Sequence, residues 1–426
     1  MVKLIRDLAT HPGVKQLGPG LVTGAADDDP SGIATYSQAG AQFGFNMLWT
    51  VVFTYPLMVG IQMVSARIGC ITGRGLAANI KAVFPRPVLY GIVGLLLVAN
   101  TINIAADIAA MGQAMSLLVG GSPHLYSVIF GLLCLVLQVF LRYERYVGYL
   151  KWLTLALLSY VAVVFMTHVP WGTAVQHLAF PRLTLDRDTI LMIAAVFGTT
   201  ISPYLFFWQA AQEMEDLRTV SGGTSSVVLP HTQQVARQHM RRIRWDTYLG
   251  MGFSNAVAFF IILSAAVTLH GAGVTDIQTS AQAAEALRPL GGPLTFLLFS
   301  LGIVGTGMLA IPILAGSAAY AVTESFDWKT GLDMRLHEAK EFYGIIAFAT
   351  VGGVVLNFTG LDPIKALLWS ADINCVIAVP IMAVMLKLGS DQKVMGSFAI
   401  GSRLRNLGWA ATALMGVTAG AMFATM

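Results

Sequence analysis

Residues 18–40 read GPGLVTGAADDDPSGIATYSQAG, an apolar stretch interrupted by Asp27, Asp28, Asp29 and Pro30. Its length suits a membrane-spanning helix, which needs about 20 apolar residues. Proline lacks the amide hydrogen that a helix uses, so backbone carbonyls before Pro30 lose their partners. Lipid cannot satisfy those carbonyls, whereas a bound cation or water in a cavity can. The stretch therefore predicts a broken transmembrane helix with an acidic centre.

A second stretch further along the chain has the same character. Residues 194–212 read AAVFGTTISPYLFFWQAAQ, in which Thr199, Thr200, Ser202 and Pro203 interrupt the apolar run. Carriers built from two inverted halves bind their substrate where helices are interrupted at corresponding positions of the two halves. Carboxylates and free carbonyls together form an oxygen-rich site, which suits a hard divalent cation. The two stretches therefore predict a cation carrier.

The composition agrees with a membrane protein. Of the 426 residues, 56% are hydrophobic and 11% are charged, against about 25% charged in a typical soluble domain. So few polar side chains cannot cover a water-facing surface, which argues against a soluble enzyme, a disordered chain and a nucleic-acid binder. The three cysteines lie in apolar stretches without CxxC spacing, so we expect neither disulfides nor a zinc site. No cofactor is expected.

The apolar segments predict an all-α polytopic membrane protein with about eleven transmembrane helices. The predicted spans are residues 18–42, 46–70, 87–119, 125–141, 147–168, 188–213, 246–270, 292–323, 341–358, 363–388 and 406–425. The two broken spans are then the first and the sixth. This places them at the start of two five-helix repeats, residues 18–168 and 188–388, as in carriers of the LeuT type. We expect a LeuT-like fold in a single domain, residues 1–426, with 406–425 as an extra helix.

The basic residues predict the orientation. With the N-terminus inside, all but four of the 26 lysines and arginines lie in cytoplasmic segments, in keeping with the positive-inside rule. The protein is therefore expected in the cell membrane, as a monomer with the lipid bilayer around it. The loop 215–245 is predicted to be a flexible segment followed by a short basic helix at 238–245. Glu213 and Glu215 are expected to be solvated at the cytoplasmic edge.

Other polar residues in the apolar spans are candidates for the same site. Asp29 is predicted to bind the cation, with helix capping as the alternative, and one of Asp27 and Asp28 is expected to face the cavity. Asp107 is expected to serve either a proton path or simple hydrogen bonding between helices. Asp372 and its neighbour Asn374 are interpreted as a ligand and a supporting group, with a structural role as the alternative. Gln209 is a second candidate, after Asp107, for the proton path.

At the two breaks the sequence resembles the NRAMP family of divalent metal transporters. The first-helix signature of that family, Asp-Pro-Gly-Asn, matches Asp29-Pro30-Ser31-Gly32, and the sixth-helix signature, Ala-x-x-Met-Pro-His, falls on 199–204. The stretch GSDQKVMG, residues 389–396, is similar to the family's loop after the tenth helix. The resemblance covers the chain from about 18 to 405. It implies a LeuT-like fold with the metal held between helices one and six.

The resemblance assigns roles residue by residue, and several positions depart from the family pattern. Asp29 matches the metal-binding aspartate, and Thr199 offers a carbonyl where the family uses that of an alanine. Gly32 stands at the position of an asparagine ligand, and Ser202 replaces a methionine whose sulfur favours transition metals. The resemblance also places Tyr204 and Gln209 where proton-linked relatives carry histidines. Asp107 matches an acid of their proton path, but Ala110 replaces its acidic neighbour.

These departures predict import of a hard divalent cation, Mn²⁺ or Mg²⁺, without obligatory proton coupling. The metal ligands are expected to be Asp29, Asp28, Thr199, Ser202 and Asp372. Such a site resembles the NRAMP-related magnesium transporters, which also depart from the motif. Asp27, Gly32, Asn374 and Tyr204 are expected around them. One alternative is a carrier of an amino acid or other organic solute, although the three aspartates would repel a carboxylate. A membrane-embedded enzyme is the other, but the sequence has no nucleophile–base pair and no HExxH motif.

Overall fold

The structure is a computed structural model that describes residues 23–425 except 25, 142–152, 183, 185, 221–232, 292 and 361. Every regular element in this part of the chain is helical. The first eight helices are α1 (Pro30–Phe43), α2 (Leu48–Thr72), α3 (Leu76–Val83), α4 (Arg86–Val119), α5 (Pro123–Phe140), α6 (Leu158–Met166), α7 (Trp171–Ala179) and α8 (Arg187–Thr200). The others are α9 (Pro203–Val220), α10 (Gln233–Thr268), α11 (Ser280–Ala284), α12 (Pro293–Ser325), α13 (Lys340–Leu356), α14 (Pro363–Ser390), α15 (Gln392–Met395) and α16 (Ser402–Thr425). Short 3₁₀ turns connect several of them.

Among the described residues, nine helical stretches are long and apolar enough to cross a membrane. Counting the pair Leu155–Met166 and Trp171–Ala179, bent by 116°, as one span raises the number to ten. One of the nine, Pro30–Thr72, is 43 residues long, or about 65 Å at 1.5 Å per residue, roughly twice the hydrocarbon core of a bilayer. Gly44 divides it at the end of α1 with a positive φ of 58°, so it forms two spans. Counting the bent pair as one span and Pro30–Thr72 as two gives eleven spans in the described part of the chain, the predicted number.

The predicted span limits agree with the helices at most described positions, and one prediction is corrected. The fifth predicted span, 147–168, begins outside the described residues, which hold only its second part in α6. The basic stretch 238–245 was predicted as a separate short helix after the loop. It lies instead in the first part of α10, which continues without interruption into the apolar span. The predicted flexible stretch before it lies largely outside the described residues, and the orientation of the bundle stays a prediction.

The packing brings the two broken spans together at the centre of the bundle. α1 packs against α10 and α14, α8 packs against α14 and α16, and α9 packs against α2 and α12. Small residues permit the closest approaches. A side chain at Gly198 would collide with the backbone of Ala371 in α14, and one at Gly24 would collide with Gly250 in α10. Such contacts between small residues are typical of helix packing in membranes. They place the first break within reach of α8, α10 and α14.

Candidate functional site

The first break lies between a helical turn that ends at Asp27 and the start of α1 at Pro30. Asp29 is extended, with φ −70° and ψ 173°, and its Oδ1 accepts a hydrogen bond of 2.7 Å from the amide of Gly32. Asp29 therefore caps α1 through its Oδ1, the alternative that the sequence left open. Pro30 cannot donate to the carbonyl of Ala26 four residues earlier. The hydroxyl of Tyr204 donates to that carbonyl instead, at 3.2 Å.

The second break, between α8 and α9, has a similar origin. Pro203 lacks the amide hydrogen that would bond to the carbonyl of Thr199 in a continuous helix. The Ser202 hydroxyl donates to this carbonyl at 2.8 Å and also lies 3.1 Å from the carbonyl of Gly198. Thr199, the predicted carbonyl ligand, thus already accepts one hydrogen bond. Its oxygen has a second lone pair, so it can still serve a cation.

The two breaks face each other directly. A Cβ atom added at Gly32 would lie 3.3 Å from Oγ1 of Thr199 and 3.5 Å from the carbonyl oxygen of Asp27. Beside this contact, the hydroxyls of Tyr36 and Thr200 are 3.0 Å apart. Any side chain at position 32 would therefore point into the space between the two breaks. The structure thus brings Gly32, Thr199, Ser202 and Tyr204 together beside the acidic triplet.

The three aspartates are almost completely buried, with exposed fractions of 1% for Asp27, 1% for Asp28 and 3% for Asp29. Asp27 and Asp28 turn toward α10, where the Ser254 hydroxyl lies 2.6 Å from Oδ2 of Asp27 and 3.2 Å from Oδ1 of Asp28. The Asp29 side chain instead turns to the amide of Gly32 at the start of α1. The described residues contain no group of three or more His, Cys, Asp or Glu side chains arranged to hold a metal ion. Any cation here must therefore use carbonyl or hydroxyl oxygens as well.

One face of α14 lines the same region. The Ser31 hydroxyl donates to the carbonyl of Leu367 at 2.8 Å and lies 3.1 Å from the hydroxyl of Ser370. Asn374 is one turn beyond Ser370, so it lies on the same face of the helix. It is buried, and its Oδ1 has no hydrogen-bond partner among the described residues. The structure therefore places Asn374 on the side of α14 that faces the first break.

Asp372 lies on a different side of α14. With about 100° of rotation per residue, it is on the far side of the helix from both Ser370 and Asn374. It lines a groove of about 370 Å³ between α14 and α16, together with Trp369, Val376, Met422 and Phe423. The structure thus does not bring Asp372 together with the acidic triplet, and a role as metal ligand finds no geometric support in this arrangement.

The two candidates for a proton path occupy separate places. Asp107, on α4, is fully buried and lies within electrostatic range of Asp29. Gln209, on α9, accepts a hydrogen bond of 2.7 Å from the hydroxyl of Thr23 and donates one of 3.1 Å to Glu213. Asp107 therefore adjoins the first break. Gln209 links the turn before that break to the far end of α9.

Glu213 corrects the sequence-based expectation, because it is fully buried rather than solvated. Arg242 of α10 forms an ion pair with it and donates to Asp216 at 2.8 Å. Glu215 is half-buried and accepts hydrogen bonds from the amide of Leu332, at 2.9 Å, and from a tyrosine hydroxyl. Neither acid is free in water, because segments distant in the sequence cover this end of α9.

Ser254 is the contact residue that sequence reasoning missed. Its only signal was a pair of polar residues, Ser254 and Asn255, in the apolar run MGFSNAVAFF at 251–260. Asn255 donates to the carbonyl of Val51 in α2 at 2.7 Å, so it joins helices, whereas Ser254 meets the acids. The acidic triplet, Ser254 and the two breaks together form a buried site of carboxylate, hydroxyl and carbonyl oxygens. Hard divalent cations prefer these donors.

A bundle of this kind, with two proline-broken helices meeting at buried acids, defines a multi-pass membrane carrier. The family model described as "Natural resistance-associated macrophage protein-like" matches residues 20–425. The chain therefore belongs to this family, NRAMP, as the sequence motifs predicted, and it is a multi-pass membrane protein with a LeuT-like fold.

Individual transporters are similar to this chain in sequence or in structure. The "Divalent metal cation transporter MntH" of Klebsiella pneumoniae subsp. pneumoniae is 26% identical over 407 residues, which cover 94% of this chain and 91% of the relative. A crystal structure of the Eremococcus coleocola manganese transporter, in complex with an aromatic bis-isothiourea substituted compound, is similar with a TM-score of 0.73 at 18% identity. The similarity covers 96% of this chain and 87% of that one. Mhp1, a nucleobase-cation-symport-1 family transporter in a closed conformation, has a TM-score of 0.54 at 14% identity, covering 95% and 91%.

Proposed function

We propose that this chain imports divalent metal cations across the cell membrane by alternating access, with Mn²⁺ and Mg²⁺ as the favoured substrates. The observation that carries the proposal is the meeting of two proline-broken helices at three buried aspartates. Relatives named as a divalent metal cation transporter and a manganese transporter support the same class of substrate. An organic anion as substrate is disfavoured, because the buried carboxylates would repel it.

The proposed metal site lies between the two breaks. Asp29 contributes the carboxylate oxygen that does not cap α1, Thr199 contributes its carbonyl, and Ser202 contributes its hydroxyl. Asp28 contributes a second carboxylate oxygen, while Asp27, Gly32, Asn374 and Tyr204 lie around these ligands. Gly32 lies close against Thr199, since an added Cβ atom would be only 3.3 Å from its Oγ1.

The chemistry of the donors supports a hard cation. Every proposed ligand is an oxygen, and hard cations such as Mg²⁺ and Mn²⁺ prefer carboxylate, carbonyl and water oxygens. Ser202 stands where relatives supply a soft thioether sulfur, so the chain lacks the donor that favours softer ions. Asp372 is not included among the ligands, because it lines the separate groove between α14 and α16.

Proton coupling is proposed to be non-obligatory. The two positions where proton-linked relatives carry histidines hold Tyr204 and Gln209, and both side chains are engaged in hydrogen bonds. Neither a phenol nor an amide exchanges protons readily near neutral pH. Asp107, close to Asp29, is the remaining group that could accept a proton along this path.

Uptake into proteoliposomes tests the proposal. Mn²⁺, Mg²⁺, Cd²⁺ and Fe²⁺ are supplied separately, and a pH-sensitive dye inside the vesicles reports proton movement. We expect uptake of Mn²⁺ or Mg²⁺, little acidification, and loss of uptake in Asp29→Ala. Transport of Cd²⁺ or Fe²⁺ without Mn²⁺ or Mg²⁺ would contradict the preference for hard cations. Unchanged uptake by Asp29→Ala would show that the site lies elsewhere.

A further inference from the structure

Ser254 occupies a defined position opposite the acidic triplet. The turn before the first break packs directly on α10, because a Cβ atom at Gly24 would lie 2.2 Å from the carbonyl oxygen of Gly250. One helical turn further along each segment, the same packing brings Asp28 and Asp27 to Ser254. This close contact between two glycines sets the register that places the buried Ser254 hydroxyl between two carboxylates.

The charges at this point are not balanced by the protein. The Ser254 hydroxyl has one hydrogen and can donate to only one carboxylate at a time. Asp27 and Asp28 are adjacent and buried, so ionising both is unfavourable unless a cation or a proton lies between or beside them. Among the described residues, neither carboxylate takes part in an ion pair. A bound cation would supply the missing charge.

The two carboxylates also keep unused oxygens. Ser254 contacts Oδ2 of Asp27 and Oδ1 of Asp28, whereas Oδ1 of Asp27 and Oδ2 of Asp28 are buried without a hydrogen-bond partner among the described residues. We infer that Ser254 is a positioning residue of the cation site: it holds Asp27 and Asp28 so that each keeps one oxygen free for the cation. This role rests on the proposed function. It also brings α10 into the site beside the two breaks and α14.

The test compares divalent-ion binding by the purified full-length protein and its variants. Binding of Mn²⁺ is measured by titration calorimetry in nanodiscs, and uptake in proteoliposomes gives KM and kcat separately. Removing a group that orients a metal ligand typically weakens affinity by about ten- to a hundred-fold. We therefore expect Ser254→Ala to raise the Kd and KM for Mn²⁺ by about ten-fold or more, with a smaller change in kcat. Ser254→Thr, which keeps the hydroxyl, should restore binding.

Ser264 provides the matched control on the same helix. It is also buried, but its hydroxyl donates to the carbonyl of Ile261 within α10, at 3.0 Å. Ser264→Ala should leave the Kd unchanged. If Ser254→Ala does not fold, Ser254→Cys, close in size and a weak donor, replaces it and should bind as weakly.

Two results would distinguish a failure of the role of Ser254 from a failure of the proposed function. Wild-type affinity in a folded Ser254→Ala or Ser254→Cys variant would overturn the role of Ser254 and leave the proposed function intact. Absence of divalent-ion binding by the wild-type protein itself would overturn the proposed function.

Discussion

The hydroxyl of Tyr204 donates a hydrogen bond to the carbonyl oxygen of Ala26, 178 positions earlier in the chain. Pro30 leaves this carbonyl without a helical partner, and Tyr204 directly follows Pro203, the proline that breaks the other helix. A residue next to one break thus satisfies a backbone group that the other break exposes. Ser202, on the other side of Pro203, satisfies the Thr199 carbonyl in its own helix. The hydrogen bond from Tyr204 to Ala26 therefore stabilises the contact between the two breaks.

Tyr204→Phe should destabilise the closed site. The variant removes the donor and leaves the Ala26 carbonyl buried without a partner, at a cost of about 1–3 kcal/mol. We expect a lower unfolding temperature by fluorescence-detected thermal unfolding. Tyr126→Phe is the control, because the Tyr126 hydroxyl donates to the carbonyl of Gly120 at an exposed position, where water can replace it. Equal changes in the two variants would contradict this account.

Asp29→Asn should separate helix capping from cation binding. Asparagine caps helices about as well as aspartate, so the unfolding temperature should change little, while Mn²⁺ uptake should fall at least ten-fold because the charged ligand is lost. Asp186 caps α8 in the same way, accepting from the amide of Thr189 at 2.9 Å, but at an exposed position. Asp186→Asn should keep full uptake. Wild-type uptake by Asp29→Asn would mean that Asp29 acts only as a cap.

Ser202→Met should shift the selectivity toward softer ions. A thioether in place of the hydroxyl adds a donor that prefers transition metals, so competition by Cd²⁺ against Mn²⁺ uptake should strengthen several-fold and Mg²⁺ competition should weaken. Ser202→Leu controls for side-chain size without the sulfur. The measurement is the ratio of the inhibition constants of Cd²⁺ and Mg²⁺ in proteoliposomes. A shift of the same size in both variants would exclude a ligand role for the residue at 202.

Arg242→Ala should be strongly destabilising, because it leaves Glu213 buried and unpaired. Breaking a buried pair from one side costs about 3–5 kcal/mol, reduced here because 27% of the Arg242 side chain is exposed. Arg241, exposed and adjacent in the chain, is the control, and Arg241→Ala should have little effect. Combining Arg242→Ala with Glu213→Gln should recover part of the loss in unfolding temperature. Failure of the double variant to recover any stability would argue against the ion pair as the cause.

Asp372→Asn should bind Mn²⁺ with nearly wild-type affinity, because Asp372 lines the groove between α14 and α16. Asn374→Ala, on the face of α14 toward the first break, should weaken Mn²⁺ binding by comparison. Titration calorimetry of both variants in nanodiscs gives the two Kd values. The opposite order would restore Asp372 as a ligand and imply that α14 rotates when the cation binds.

Much of the fold was predictable because the signals are local. Apolar length determines which segments can cross a membrane, and the effect of Pro30 and Pro203 on their own helices needs no distant partner. The breaks therefore occur where the sequence predicted them. The basic stretch 238–245 was misjudged because a solvated helix and the start of a long span look alike in a short window.

The site itself depended on contacts between distant segments. The sequence predicts a solvated Glu213 because its partner Arg242 lies on another helix. It predicts that Asp372 faces the cavity because it does not reveal how α14 is rotated. Ser254 was a single polar residue in an apolar run, without a motif to mark it.

The sequence by itself determined the class of protein, the two helix breaks and the oxygen-rich character of their residues, since these follow from local chain chemistry. Only the tertiary structure decided which oxygens meet. That depends on how α10 packs against α1 and how α14 packs against α8, which is set by close contacts at Gly24, Gly40 and Gly198. A difference of one residue in register would turn a different side chain toward the acids.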